Sequence, residues 1–392
     1  MKNLTAILIL IIAGHLYTYP QTPGFYHEWL YKDDPNSSDI PTCLLHDSKG
    51  FMWFGERSGI KRYDGYNLKA YYHNGLDTIS LSDNYIISMY EDNDANIWIG
   101  SISGGLIRYN RNTDNFTRYP HSGNDPYNLK NASVWAICAL KSGAIWFSAH
   151  SIMSQGIYAM DPRSGNIVPV VHGTSNSGHQ DTLYTRIIYE DRNGNIWTGD
   201  AKGLHKYDSA GSLFIHYRNE PGNENSLSCD TVNAIYEDRS GTMWIGTYKG
   251  LNQFDRDANR FVRYYHDEAN PNSLSDNYIG AITGDNEDNL IIKTATGINF
   301  LKKQTGSFVF LEYLDYVFSP EEAISYNIYG WSRSLYLDSC GILWFPSYGG
   351  FNKLILQRKQ FTFIQSGGFN GGICQDNNGD LWIGSWGGGF SE

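Results

Sequence analysis

The chain has 392 residues, enough for a large core, and a net charge of −11 from 41 acidic and 30 basic residues. No Lys/Arg cluster stands out, which argues against nucleic acid and anionic membrane surfaces as partners. Charged residues make up 18% and aromatic residues 15%, including 29 Tyr and 11 Trp, so rings are available both to fill core layers and to stack on sugar faces.

In chain order, residues 1–20 read as a secretory signal. Lys2 is followed by an apolar run, Leu4–Ala13, broken only by Thr5 and too short for an ordinary transmembrane helix. The expectation is an exported, periplasmic protein. Phe25–Lys32 (FYHEWLYK) reads as an outer strand lacking its own first three strands. Joining the last blade would repair its exposed edge, although Phe361–Gln365 (FTFIQ) competes for that place.

One phrase then recurs. It reads GFMWFG at Gly50–Gly55, NIWIG at Asn96–Gly100, AIWFS at Ala144–Ser148 and NIWTG at Asn195–Gly199. It continues as TMWIG at Thr242–Gly246, LIIK at Leu290–Lys293, ILWFP at Ile342–Pro346 and LWIGS at Leu381–Ser385. Trp53, Trp98, Trp146, Trp197, Trp244, Trp344 and Trp382 hold one equivalent position, filled by Ile291 in the sixth copy. Successive copies lie 38 to 53 residues apart. This period of short strand patterns predicts an all-β, seven-bladed β-propeller of four-stranded antiparallel blades over residues 24–366. Residues 367–392 then form an incomplete eighth repeat, the start of a further blade or second propeller, ending just before its third strand.

Within a repeat, Asn84–Asp92, Ile97–Gly100, Leu106–Asn110 and Phe116–Pro120 read as four strands bounded by polar turns. Six residues before the signature position stand Asp47, Asp92, Asp191, Asp238, Asp285, Asp338 and Asp376, with Leu140 in the third copy. A short carboxylate there accepts backbone hydrogen bonds from its own turn, so these acids read as structural. They lack the dense ligand spacing of a calcium loop. A glycine before each third strand marks a permissive corner, and Ser148, Lys293 and Pro346 replace the glycine that follows the signature residue in copies three, six and seven.

Cys43, Cys138, Cys229, Cys340 and Cys374 are odd in number and scattered; they read as buried small hydrophobes, with neither a disulfide framework nor a metal site. His172 and His179 are the one close histidine pair. No catalytic motif emerges, and no cofactor is expected. Ligand contacts are expected on the face carrying the blade connectors and the loops between second and third strands. The candidates are Tyr184, Arg186, Trp331, Arg333, Tyr85, Tyr278 and Trp135 near the starts of inner strands, and Glu56, Arg57, Lys202 and Tyr248 on loops. Phe369, His150, Asp200, Lys249, Tyr348 and Trp386 complete the two groups. Sugars need flat apolar platforms with forked donors, which these residues offer. Tyr184 with Arg186, and Trp331 with Arg333, each set a ring and a guanidinium two residues apart, the spacing of one strand face.

IIYEDRNGNIWTGDAKGLHKYD (Ile187–Asp208), AIYEDRSGTMWIGTYKGLNQFD (Ala234–Asp255) and the twice-used connector SLSDNYI (Ser80–Ile86, Ser273–Ile279) resemble the two-component regulator propeller repeat. The resemblance runs from Gly24 to Glu392 and is strongest to the exported sensor region of hybrid two-component systems. It implies two seven-bladed propellers, an immunoglobulin-like module, a membrane helix and a histidine kinase in a full receptor, with this chain a fragment or truncated product. It also implies an oligosaccharide ligand released from a glycan, with the downstream receptor domains and a second receptor copy as partners. A secreted propeller lyase or hydrolase, or a protein-interaction propeller, are the alternatives.

Overall fold

A computed structural model describes residues 26–32, 41–119, 127, 129–151, 155–173, 184–208, 211–312, 334–347, 350–356, 369–375, 381–386 and 389–391. Seven four-stranded antiparallel sheets succeed one another as the blades of a β-propeller. In the second blade, Ile86–Glu91, Ile97–Ser101, Leu106–Asn110 and Asn115–Tyr119 pair in sequence order. The inner strand begins two residues later than the sequence pattern suggests, because the Tyr85 amide is held in the connector by Asp83 Oδ1. Among the described residues the one helical element is a 3-10 turn at Leu129–Asn131, and no helix is long and apolar enough to cross a membrane.

The signature residues form the layers between blades. Trp53, Trp98, Trp197 and Ile291 are fully buried, and Trp146, Trp244 and Trp344 nearly so. Each second strand is flanked by its own inner and third strands, and the rings of Trp53, Trp146 and Trp197 pack against rings of the following blade, while Trp98 and Trp244 meet Tyr119 and Tyr264 of their own. Trp53 lies 4.7 Å from Tyr109, and Trp197 lies 5.7 Å from Phe254, both edge-on. The Trp382 side chain lies outside the described residues.

The repeated aspartate carries out two tasks. Asp47 Oδ1 accepts the amides of Lys49 and Phe51, and its Oδ2 accepts the Trp53 indole N–H at 2.8 Å. Asp92, Asp191, Asp238 and Asp338 hold their tryptophans in the same way. The turn and the core residue are thus fixed by one side chain.

A second device joins blade to blade. Arg111, after the third strand of blade two, donates to Asp47 Oδ2 of blade one and to Glu91 Oε1 of its own blade, both at 2.8 Å. Arg256 joins Asp191 to Glu237, and Lys303 joins Asp238 to Asp288, in the same manner. The glutamates complete the clasp: Glu91 accepts the Ser48 amide, Glu190 the Lys141 amide and Glu237 the Arg192 amide, each from the preceding blade. In blade six Gly284 stands where the glutamate would be, and Asp288 Oδ1 accepts the Arg239 amide instead. Burial pushes the carboxyls of Asp47, Asp191 and Asp238 up. The hydrogen bonds from tryptophan, from the turn and from the Arg or Lys outweigh it and hold all three below the usual aspartate range.

The ring closes through the N-terminal strand. Tyr26–Lys32 pairs antiparallel with Gly350–Ile355, giving the last blade the spatial order Tyr26–Lys32, Gly350–Ile355, Ile342–Ser347, Tyr336–Leu337. Phe361–Gln365 lies outside the described residues.

Tyr26–Leu356 makes one compact unit. The strands Phe369–Gln375, Leu381–Trp386 and Gly389–Ser391 belong to a separate one and pair as a three-stranded antiparallel sheet. The third strand of the eighth repeat has therefore begun, with Ser385 opposite Gly389, where the sequence pattern placed the end of the chain before it.

Candidate functional site at the channel mouth

The innermost strands line a central channel with a cavity of about 280 Å³, walled in part by Thr42, Ser88, Trp135, Arg186, Asn233 and Ser334. Most of its polar groups are spent on holding adjacent blades together. Thr42 Oγ1 donates to Ile86 O, Ser88 Oγ to Val134 O and Asn233 Nδ2 to Ile279 O, each at or shortly before the first residue of the next inner strand. Backbone bonds add to this, with the Val134 amide donating to Ser101 O and the Val232 amide to Asp200 O. The mouth is consequently a rigid frame, and residues placed on it are positioned by the ring itself.

Over blades three to six that frame carries a band of rings. Tyr184 lies 6.5 Å from Trp135, edge to face, and 4.7 Å from the His150 imidazole. Arg186 donates from Nη1 to Asn233 Oδ1 at 2.9 Å, and its guanidinium carbon sits 5.1 Å from the centre of the Tyr248 ring. Tyr248 in turn lies 5.1 Å from Tyr278. Tyr184 and Tyr248 are 42% and 37% exposed, so both offer ring surface to solvent at the mouth. A second, smaller pair stands at blades one and two: Arg57 donates from Nε to the Tyr85 hydroxyl at 3.2 Å and lies over its ring.

His150 differs from its neighbours. It is 6% exposed, and neither ring nitrogen has a hydrogen-bond partner among the described residues. Burial lowers its pKa to about 4, against the opposing field of Asp200. Asp200 is itself occupied, accepting the amides of Lys202 and Gly203 and facing His205 Nε2 at 3.2 Å. Burial raises the Asp200 pKa, and the His205 contact and the two amides more than offset this. His150 is thus a neutral imidazole, with one donor and one acceptor nitrogen, beside an exposed tyrosine.

Five of the sequence candidates, Trp135, Tyr184, Arg186, Tyr248 and Tyr278, come together in this band. Tyr85 and Arg57 form the smaller pair. Glu56 is 1% exposed and forms an ion pair with Lys61 at 3.0 Å, so it faces the blade rather than the mouth. Lys202 is anchored through its backbone, its amide to Asp200 Oδ1 and its carbonyl to His216 Nε2. Tyr184 and Arg186 do not share a strand face. The strand begins at Ile187, so alternation does not govern them; Tyr184 reaches back to blade three and Arg186 forward to blade five. Trp331, Arg333 and Tyr348 lie outside the described residues, as do the side chains of Phe369 and Trp386. Asn233 was missed, and its signal was present: a lone amide inside the apolar strand VNAIYE.

Among the described residues no group of three His, Cys, Asp or Glu could hold a metal ion. The side chains of His172 and His179 lie outside the described residues. Cys43 and Cys138 are buried, and burial pushes their thiols up to about 12 and about 11. Cys229 is half-buried and Cys340 exposed, unlike the buried positions expected from sequence, because Cys340 occupies a turn whose amide is bound by Asp338.

Comparison with known proteins agrees with this architecture. A sequence model described as "Two component regulator propeller" matches residues 80–103, 226–249 and 364–387. No curated protein matches the sequence. Among solved structures, the extracellular domain assigned to a hybrid two-component system of B. thetaiotaomicron superposes with a TM-score of 0.63 at 24% identity, covering 90% of this chain and 46% of that one. This chain thus spans about half the length of that relative. A virginiamycin B lyase from Staphylococcus aureus superposes with a TM-score of 0.60 at 13% identity, covering 85% of this chain and 99% of the lyase. PorZ, a surface component of the type-IX secretion system of Porphyromonas gingivalis, superposes at 0.57 and 16% identity, over 82% of this chain and 47% of PorZ. Three stretches of the chain thus match the two-component regulator propeller repeat, and the described blades follow one another in the order of the repeats.

Proposed function

We propose that this propeller is an exported, non-catalytic sensor module of a two-component receptor, and that it recognises an oligosaccharide derived from a glycan at the channel mouth. The observation that carries this reading is the band of Trp135, Tyr184, Arg186 and Tyr248. Rings exposed on a rigid frame offer flat stacking surfaces, and a guanidinium already held by Asn233 and Tyr248 loses little freedom on binding. The family match and the fold shared with the extracellular domain from B. thetaiotaomicron support a sensor role.

The fold shared with the virginiamycin B lyase, together with the unpartnered imidazole of His150, keeps a lyase as the second reading. A neutral imidazole with pKa about 4 is a poor base at neutral pH, which favours binding over proton abstraction. The two readings separate in one experiment. The protein is incubated with a panel of oligosaccharides, following its melting temperature and the masses of the recovered sugars. A sensor gives a thermal shift with the ligand returned intact. Any product with an unsaturated or shortened chain overturns the non-catalytic reading.

A further inference from the structure

We infer that the ligand of this mouth carries a carboxylate, making it an acidic, uronate-type oligosaccharide, and that Arg186 takes the carboxylate. This rests on the reading of the mouth as a sugar site. The charged arginines inside the blades are spoken for: Arg111 and Arg256 each bridge two carboxylates. Arg186 is different. Its partners are the neutral amide oxygen of Asn233 and the face of Tyr248, and among the described residues no acidic side chain lies within ion-pair distance of it. Asp200, the acid of the same blade, is closed off by two amides and His205.

A guanidinium has five N–H donors. One is used by Asn233, whose own amide is fixed by its bond to Ile279 O. The rest form a planar fork, pre-oriented by the Tyr248 ring, which matches the two oxygens of a carboxylate. The whole chain repels anions, with a net charge of −11, so attraction of an acidic sugar has to come from a local cation. Arg186 stands on the wall of the 280 Å³ cavity, at the point where the exposed rings begin. The neighbouring Tyr184 and neutral His150 suit the uncharged part of such a sugar, through ring stacking and through bonds to a hydroxyl.

The test uses the full chain in titration calorimetry against matched ligands: uronate oligosaccharides, the same oligosaccharides with carboxyls reduced to alcohols, neutral oligosaccharides of similar length, and sulfated disaccharides. Binding of a uronate oligosaccharide is expected, with affinity falling ~10- to 100-fold on carboxyl reduction, the range of a lost charge-assisted hydrogen-bond pair. Arg186→Gln should lower uronate affinity by a similar factor, and Arg186→Lys should restore part of it. Because carboxyl reduction alters the ligand alone, the result stands even if Arg186→Gln fails to fold. Binding of a neutral or carboxyl-reduced sugar as tightly as the uronate overturns the carboxylate assignment and leaves the sugar-sensor reading intact. Preference for a sulfated disaccharide over every uronate also overturns it. Failure of every sugar to bind overturns both.

Discussion

At the scale of single residues, close approach between blades decides what is tolerated. Gly100 follows Ile99 in the second strand of blade two, and a Cβ there would collide with the backbone oxygen of Val134 and with Ser88 Oγ. The backbone of blade three cannot retreat without breaking the Ser88–Val134 bond. Gly100→Ala should therefore lower stability by ~2–3 kcal/mol, an overpacking cost read by chemical denaturation. An unchanged midpoint would show that the blades are looser than described. Where the glycine is replaced, the replacement is itself accommodated: Ser148 Oγ accepts the Ala136 amide, and Lys293 Nζ donates to Pro346 O at 2.8 Å.

Lys293 has a pH signature. Full burial lowers its pKa from 10.5 to about 7. Between those values the unfolded chain holds a proton that the folded chain lacks, so stability rises with pH across the window. Below pH 7 both states are protonated and the burial penalty is at its largest. Lys293→Met should remove a slope of up to ~1.4 kcal/mol per pH unit between pH 7 and 10. Melting curves with the same slope in both proteins would contradict the burial. The sequence exposed Lys293 as an oddity, a lysine in a glycine position, but not its partner, because Pro346 lies a whole blade away.

At the scale of strands and turns, the motif Y-E-D has a division of labour. The aspartate holds its own turn and tryptophan, and the glutamate holds the turn of the preceding blade. The first task was legible in sequence, since all its partners lie within six residues. The second was not, because Arg111 and Asp47 are separated by 64 residues. One regularity was nonetheless available. The third repeat has Leu140 in place of aspartate, and the fourth has Ser209 where Arg256 and Lys303 stand in their repeats. Arg256→Ala leaves Asp191, whose side chain is fully buried, without its cation. It should cost ~2–3 kcal/mol at neutral pH, the range for hydrogen bonds to charged groups. The Asp191 pKa is depressed, so this contribution is complete above the unfolded value near ~4 and is lost as pH falls through the folded one. Parent and variant should therefore converge in strongly acidic urea titrations. A gap that persists there would mean that Arg256 acts by packing alone.

At the scale of the whole molecule, the ring is closed by pairing the first strand with the last blade. The sequence pointed to this because FYHEWLYK stood before the first connector without three strands of its own. The pairing register, Tyr26 opposite Ile355 and Lys32 opposite Gly350, was beyond it. Removing residues 26–32 should expose the edge of Gly350–Ile355, lower the melting temperature and promote association through that edge. A monomer of parental stability would show that closure lies elsewhere. The blade count and order were readable because the repeat supplies many copies of one local pattern. The mouth was readable only as a roster of rings and cations. Connector residues such as Tyr184 and Arg186 follow no strand alternation, and their directions are set by neighbouring blades.

The proposed site of recognition is the channel mouth, opposite the aspartate turns. Hydrogen exchange of the free protein and of the protein saturated with a bound oligosaccharide tests this most directly. New protection should appear around Ser133–Ile137, Thr185–Ile188 and Thr231–Ile235, where the inner strands of blades three to five begin. Protection at the turns Asp191–Asn195 and Asp238–Thr242, with the mouth unchanged, would contradict it.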